Sequence, residues 1–153
     1  MSISKLSEFF TVTANLGVLI GLAFLVIEIQ QNTSMTQAQT RDAMTEKLMT
    51  WQLVLADNQE LASIFSQGNQ QKLERGTPEW LSYRMLIQSN FRMWENEWYQ
   101  YQRGLFEESE FLPRTQRWIN TVGENGGYKD VWELSRETYA PEFRAIINSY
   151  SDL

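Results

Sequence analysis

The side chains left to do chemistry in this chain are carboxylates and guanidiniums, because it contains neither histidine nor cysteine. Without histidine it lacks the commonest general base and the commonest metal ligand. Without cysteine it has no thiol nucleophile, no thiolate zinc site and no cysteine-held iron–sulfur cluster. The Glu-x-x-His pairs of helical di-iron sites cannot form, and the sequence contains neither a D-x-D-x-D-G calcium loop nor a G-x-S-x-G elbow. Two groups of carboxylates remain. Glu95 and Glu97 are two apart on a predicted helix and so point to different faces. Glu107, Glu108 and Glu110 make an acidic turn beside Gly104. A carboxylate-only acid–base pair is conceivable among them, but solvated acidic turns are far commoner. The sequence therefore nominates no catalytic residue, no metal ligand and no cofactor site. Arg84 sits among aromatic residues, where it is expected to stack on Trp80 or pair internally, with anion capture as the alternative.

The helix that must position most of these groups is predicted over residues 78–103. Thr77 offers an N-cap oxygen, Pro78 suits the first helical position, and Glu79 lies near the positive end of the dipole. Gly104 stops the helix after Arg103. Trp80, Ile87, Trp94 and Tyr101 recur at seven, with Phe91 and Trp98 between them and Arg84 as the polar interruption, which reads as a heptad-like seam. Trp80, Arg84, Phe91, Trp94, Trp98 and Tyr101 either fill an aromatic core or form a pocket or contact face, and the core is the preferred reading. Around this helix, residues 35–56 read as an amphipathic helix through Met44, Leu48, Trp51 and Leu55. A short helix near 60–66 ends at Gly68, and 69–76 is a loop. Pro113 is expected to open a helix running to Val122, with Trp118 and Ile119 turned inward. Residues 123–127 (GENGG) read as a flexible loop, and no Lys-Ser/Thr pair follows to make it a phosphate loop. Helices over 129–138 and 141–150 complete an all-α reading, since no segment alternates like a strand.

One segment differs from all of these. Residues 9–29 (FFTVTANLGVLIGLAFLVIEI) are apolar enough to enter a bilayer and, as a helix, would reach roughly 31 Å. The uninterrupted apolar core, 16–27, is short, so a buried soluble helix and a cleaved signal compete with a retained transmembrane helix. The apolar surface all the way round and the lack of an A-x-A-like site favour the retained helix. Thr11 and Thr13 can bond their hydroxyls to the preceding turn. Thr13, Gly17 and Gly21 recur at four and form a small-residue face for helix–helix packing. Thr11 and Asn15 lie on roughly the opposite face with Leu22, where a ring of helices would place a lumen and a constriction. Lys5 on one flank and Arg41 and Lys47 on the other leave the positive-inside rule favouring neither side. Residues 30–39 are polar and uncharged, and carry the chain onward as a continued helix or with a break near 32–34.

The net charge is −6 with scattered basic residues, which argues against nucleic acid and against a polybasic lipid surface. Residues 17–33 (GVLIGLAFLVIEIQQNT), with 37–40, 91–104 (FRMWENEWYQYQRG) and 141–144 (PEFR), resemble an uncharacterised family of small bacterial proteins. Those proteins open with one transmembrane helix ending in an "EIRQNT"-like phrase and continue into a helical domain; the usual Arg of that phrase is Gln30 here. The resemblance implies a single-pass protein of a bacterial inner membrane and implies no reaction. The sequence as a whole reads as an N-terminal flank (1–8), a transmembrane helix (9–29) and a soluble small helical bundle (30–153). The expected function is a non-enzymatic, membrane-anchored protein that forms a homo-oligomer or binds a protein partner, without nucleic acid, metal or cofactor. The alternatives are an oligomeric channel and an anchored small-molecule sensor or enzyme.

Overall fold

Asn58, Thr77 and Asn125 decide where three of the helices begin. Each turns an extended backbone into a helix by accepting, through its side-chain oxygen, a first-turn N–H that has no intrahelical partner: Leu61 on Asn58, Trp80 on Thr77, and Gly127 and Tyr128 on Asn125. The structure is a computed structural model that describes residues 3–149. It is all-α: α1 (Ile3–Asp57), α2 (Gln59–Asn69), α3 (Pro78–Gln102), α4 (Glu108–Glu124), α5 (Gly126–Ser135), a 3-10 turn at Arg136–Thr138, and α6 (Pro141–Asn148). No strand occurs among the described residues. The chain divides into two units, residues 1–39 and 40–153, and α1 contributes to both.

In the first unit the helix continues through residues 30–39 without the break considered near 32–34. The hydroxyls of Thr11 and Thr13 donate to the carbonyls of Ser7 (2.9 Å) and Phe9 (2.8 Å), one turn back. The large apolar side chains of residues 9–29 are exposed, Phe24 at 69%. None of the apolar window is buried. It is one helix long and apolar enough to span a membrane.

The second unit is built around α3. Gly104, at φ +70°, ends that helix in a Schellman motif: Gly104 N–H donates to the Tyr101 carbonyl (2.9 Å) and Leu105 N–H to the Gln100 carbonyl (3.0 Å). The face that α3 buries differs from the heptad seam. The buried residues are Tyr83, Ile87, Asn90, Phe91, Trp94 and Glu97, while Trp80, Arg84, Trp98 and Tyr101 are half-buried. The helix packs against α2, α4 and α5, so a broad 3.6-residue face replaces the narrow 3.5-residue stripe. Phe91 is wholly buried, with Trp94, Tyr128, Trp132 and Tyr139 around its ring. Phe143 of α6 meets Trp98, Trp118, Trp132 and Tyr139. Arg92 and Glu95 tie α3 to the start of α6: Arg92 lies 4.1 Å over the Tyr139 ring, and Glu95 accepts from Ala140 N–H at 2.7 Å.

Three boundaries correct the sequence reading. α4 starts at Glu108 rather than Pro113, because Glu108 and Glu110 suit the positive end of a helix and Phe111 is buried in its first turns. Pro113 sits inside α4, which gives up one backbone bond there. Residues 123–127 are not a loop. α4 ends at Glu124 and α5 starts at Gly126, with Asn125 as the only joint. The glycines serve a close approach: a Cβ at Gly127 would run into the Gly68 carbonyl and the Tyr83 hydroxyl, and one at Gly68 into the Tyr83 ring. Thr138, expected to close a helix begun at 129, lies in the 3-10 turn, and Tyr150 lies outside the described residues.

Candidate functional site

On α3, Asn90, Trp94 and Glu97 are spaced i, i+4, i+7 and so share one helix face. On α4, Arg114, Arg117, Trp118 and Thr121 do the same. Between these faces lies a cavity of about 300 Å³, closed further by Tyr128 of α5, Phe65 of α2 and Trp51. All of its walls belong to the second unit. Its size falls within the range of small-molecule sites, and its lining has their character, aromatic planes with a few convergent polar groups.

Glu97 is only 2% exposed. One of its oxygens accepts from Arg114 Nη1 at 2.9 Å, and the Arg114 guanidinium lies 5.1 Å over the Phe106 ring. Burial pushes the Glu97 carboxyl above the usual range; Arg114 and then Arg117 pull it back, and burial wins. Asn90, at 5% exposed, presents its amide at the same wall. Tyr128 enters through its backbone, since its N–H and that of Gly127 are held by Asn125. Burial raises the Tyr128 phenol far above its ordinary value, so it remains a proton donor at any physiological pH. The Trp94 ring is nearly parallel to Trp118 (5.6 Å, 15°) and to Tyr128 (6.0 Å, 17°). The indole N–H of Trp51 is buried without an acceptor. Arg117 makes no ion pair among the described residues.

The six aromatic-helix candidates separate. Trp94 lines this cavity, and Phe91 is core. Trp98 packs on Phe143, and Tyr101 stacks on Phe111 at 4.1 Å. Trp80 carries the Arg84 guanidinium 5.7 Å over its ring, and Arg84 Nε is buried without a partner. In the first unit, a Cβ at Gly17 or Gly21 would meet nothing within 4 Å. Thr13 lies one turn before Gly17, while Thr11, Asn15 and Leu22 are exposed. Glu107 precedes α4, Glu108 lies in its first turn, and Glu110 forms an ion pair with Arg41. The acidic turn is thus a helix N-terminus and does not face the cavity.

Among the cavity's residues, the sequence reading names Trp94 as a pocket candidate, Glu97 as a remaining carboxylate and Trp118 as inward-facing, without bringing them together. The available signal was polar: Asn90 and Glu97 flank Trp94 at helical spacing, on a stripe one position away from the seam that was followed. Arg114, Arg117 and Thr121 lie within the expected helix 113–122 but carry no signal that they face α3, and Tyr128 falls between the expected loop and the next expected helix. Compared with family models, curated proteins and solved structures, the chain matches none.

Proposed function

We propose that this chain is a single-pass membrane protein whose helical domain binds a small molecule in the cavity between α3 and α4. The carrying observation is a cavity of about 300 Å³ into which a buried amide (Asn90) and a buried carboxylate (Glu97) are built. Burying such groups is costly, and a purely structural core would fill that space with apolar side chains. This favours the small-molecule alternative over a partner-binding aromatic face, because Phe91 and Trp94 are turned inward. The role we assign is binding, with no catalytic step. Residues 9–29 are the anchor, in a bacterial inner membrane by the resemblance of that segment.

Trp51, Trp94 and Trp118 line the cavity and supply the readout. Full-length protein in lipid nanodiscs is titrated with a panel of one- and two-ring compounds bearing anionic, neutral or cationic groups, following tryptophan emission. A saturable change with at least one class is expected. Flat titrations across the panel would sink the binding reading.

A second reading concerns the anchor. Asn15 has an exposed amide in an apolar segment, and such a group gains from a partner on another helix. Self-assembly through the small-residue face of Thr13, Gly17 and Gly21 would turn the opposite face, with Thr11, Asn15 and Leu22, to the lumen of a ring of spans. Bilayer conductance that changes on Asn15→Leu would support the ring; silence at verified oligomer density would reject it.

A further inference from the structure

The geometry points to a planar aromatic monocarboxylate, of one or two rings, as the ligand class of the α3–α4 cavity. This rests on reading the cavity as a binding site. Three observations converge on it.

The first is charge. The lining holds one carboxylate, Glu97, and two guanidiniums, Arg114 and Arg117. Glu97 and Arg114 satisfy each other at 2.9 Å, which leaves Arg117 as a local surplus of one positive charge in a chain of net −6. Arg117 is exposed at the cavity's lining and makes no ion pair among the described residues, and a guanidinium so placed can receive a carboxylate by geometry as well as charge.

The second is the hydrogen-bond inventory. Trp51 offers an indole N–H that has no acceptor. Tyr128 offers a phenol proton, Asn90 an amide, and Arg117 its fork of N–H groups. Against these donors the walls present as acceptors the second oxygen of Glu97, the Asn90 and Gln52 side-chain carbonyls and the Thr121 hydroxyl, none of them charged except Glu97. A ligand rich in acceptors balances this inventory. A cationic ligand would add donors to donors and set its charge against Arg117.

The third is shape. Trp94 is offset-stacked on both Trp118 and Tyr128, so the three rings form one aromatic wall of the cavity, against which a flat ring packs from the cavity side. A cavity of ~150 Å³ accommodates benzene. One of about 300 Å³ accommodates two fused rings or one ring with its carboxylate.

The test is calorimetric titration of full-length protein in lipid nanodiscs, corrected by empty nanodiscs. Three probes share a ring system: naphthalene-2-carboxylate, the neutral 2-naphthylmethanol and the cationic 2-naphthylmethylammonium. The carboxylate is expected to bind at least about tenfold tighter than either other probe. Arg117→Gln should abolish that advantage, Arg117→Lys should restore part of it, and Arg103→Gln, which lies outside the cavity, should retain it in full. Equal binding of all three probes, or preference for the ammonium, would overturn the anion assignment and leave the cavity as a binding site. An advantage that persists in Arg117→Gln would overturn the role of Arg117. If none of the three binds while another compound of the broader panel does, the aromatic-carboxylate class is wrong; if nothing in either set binds, the underlying reading falls as well.

Discussion

Glu97 and Arg114 carry the clearest consequences at the scale of single residues. Burial raises the folded pKa of Glu97 above its unfolded value of ~4.3. Below that value both states hold the proton and Glu97 contributes nothing to the pH dependence. As pH rises past it, the unfolded chain ionises first, so stability falls until the folded pKa is passed. Ionising Glu97 at neutral pH is therefore less favourable in the folded chain than in the unfolded one. Denaturant unfolding of the full-length protein between pH 4 and 8 should show Glu97→Gln with a flatter stability profile just above pH 4.3; an unchanged slope would contradict the burial argument. Arg114→Ala is the opposite case, since it leaves Glu97 buried without its partner. A loss of about 3 kcal/mol is expected at pH 7, shrinking toward pH 4.5 as Glu97 takes up a proton. Equal losses at both pH values would show that Arg114 acts through packing alone.

At the scale of elements, the contrast between Gly127 and Gly123 separates close approach from helix propensity. A Cβ at Gly127 meets the Gly68 carbonyl, a backbone atom that cannot turn aside, whereas one at Gly123 meets nothing within 4 Å. Gly127→Ala should cost ~1–3 kcal/mol, and Gly123→Ala should add ~0.5–1 kcal/mol to α4; thermal unfolding of the pair reads both signs. Phe91→Ala should cost ~3–5 kcal/mol, because the ring is wholly buried among four others. These elements also show what a sequence can tell. The ends of α3 were legible because Thr77, Pro78 and Gly104 act within a few residues of themselves. The rotation of α3 was not, because neighbours from α2, α4 and α5 decide how wide a face is buried. The start of α4 was missed because Pro113 is a strong local signal and Phe111 is held by tertiary packing, which outweighs it. The GENGG stretch misled for a related reason: glycines that permit a loop also permit two backbones to touch. In the apolar segment, Gly17→Leu and Gly21→Leu should dissolve any oligomer seen by native mass spectrometry in mild detergent. An unchanged assembly would remove the glycine face from the account.

At the scale of the whole molecule, the chain divides into two units. The apolar segment was readable because a bilayer-length run needs no partner elsewhere in the sequence to be recognised. The cavity was not, because its walls come from α1, α2, α3, α4 and α5, and no local pattern announces that five segments converge. The function proposed depends on that convergence. A ligand present at 100 times its dissociation constant adds ~2.7 kcal/mol to the folded state, a rise in Tm on the order of 10 °C for a domain of this size. Thr121 lines the cavity from α4, and Phe in its place would fill the space a ligand needs. The most direct measurement is thus the thermal unfolding of full-length protein and its Thr121→Phe variant across the same panel of one- and two-ring compounds. The account predicts a ligand-dependent rise in Tm for the parent protein that is absent from the variant. A rise of equal size in both, or none in either, would contradict it.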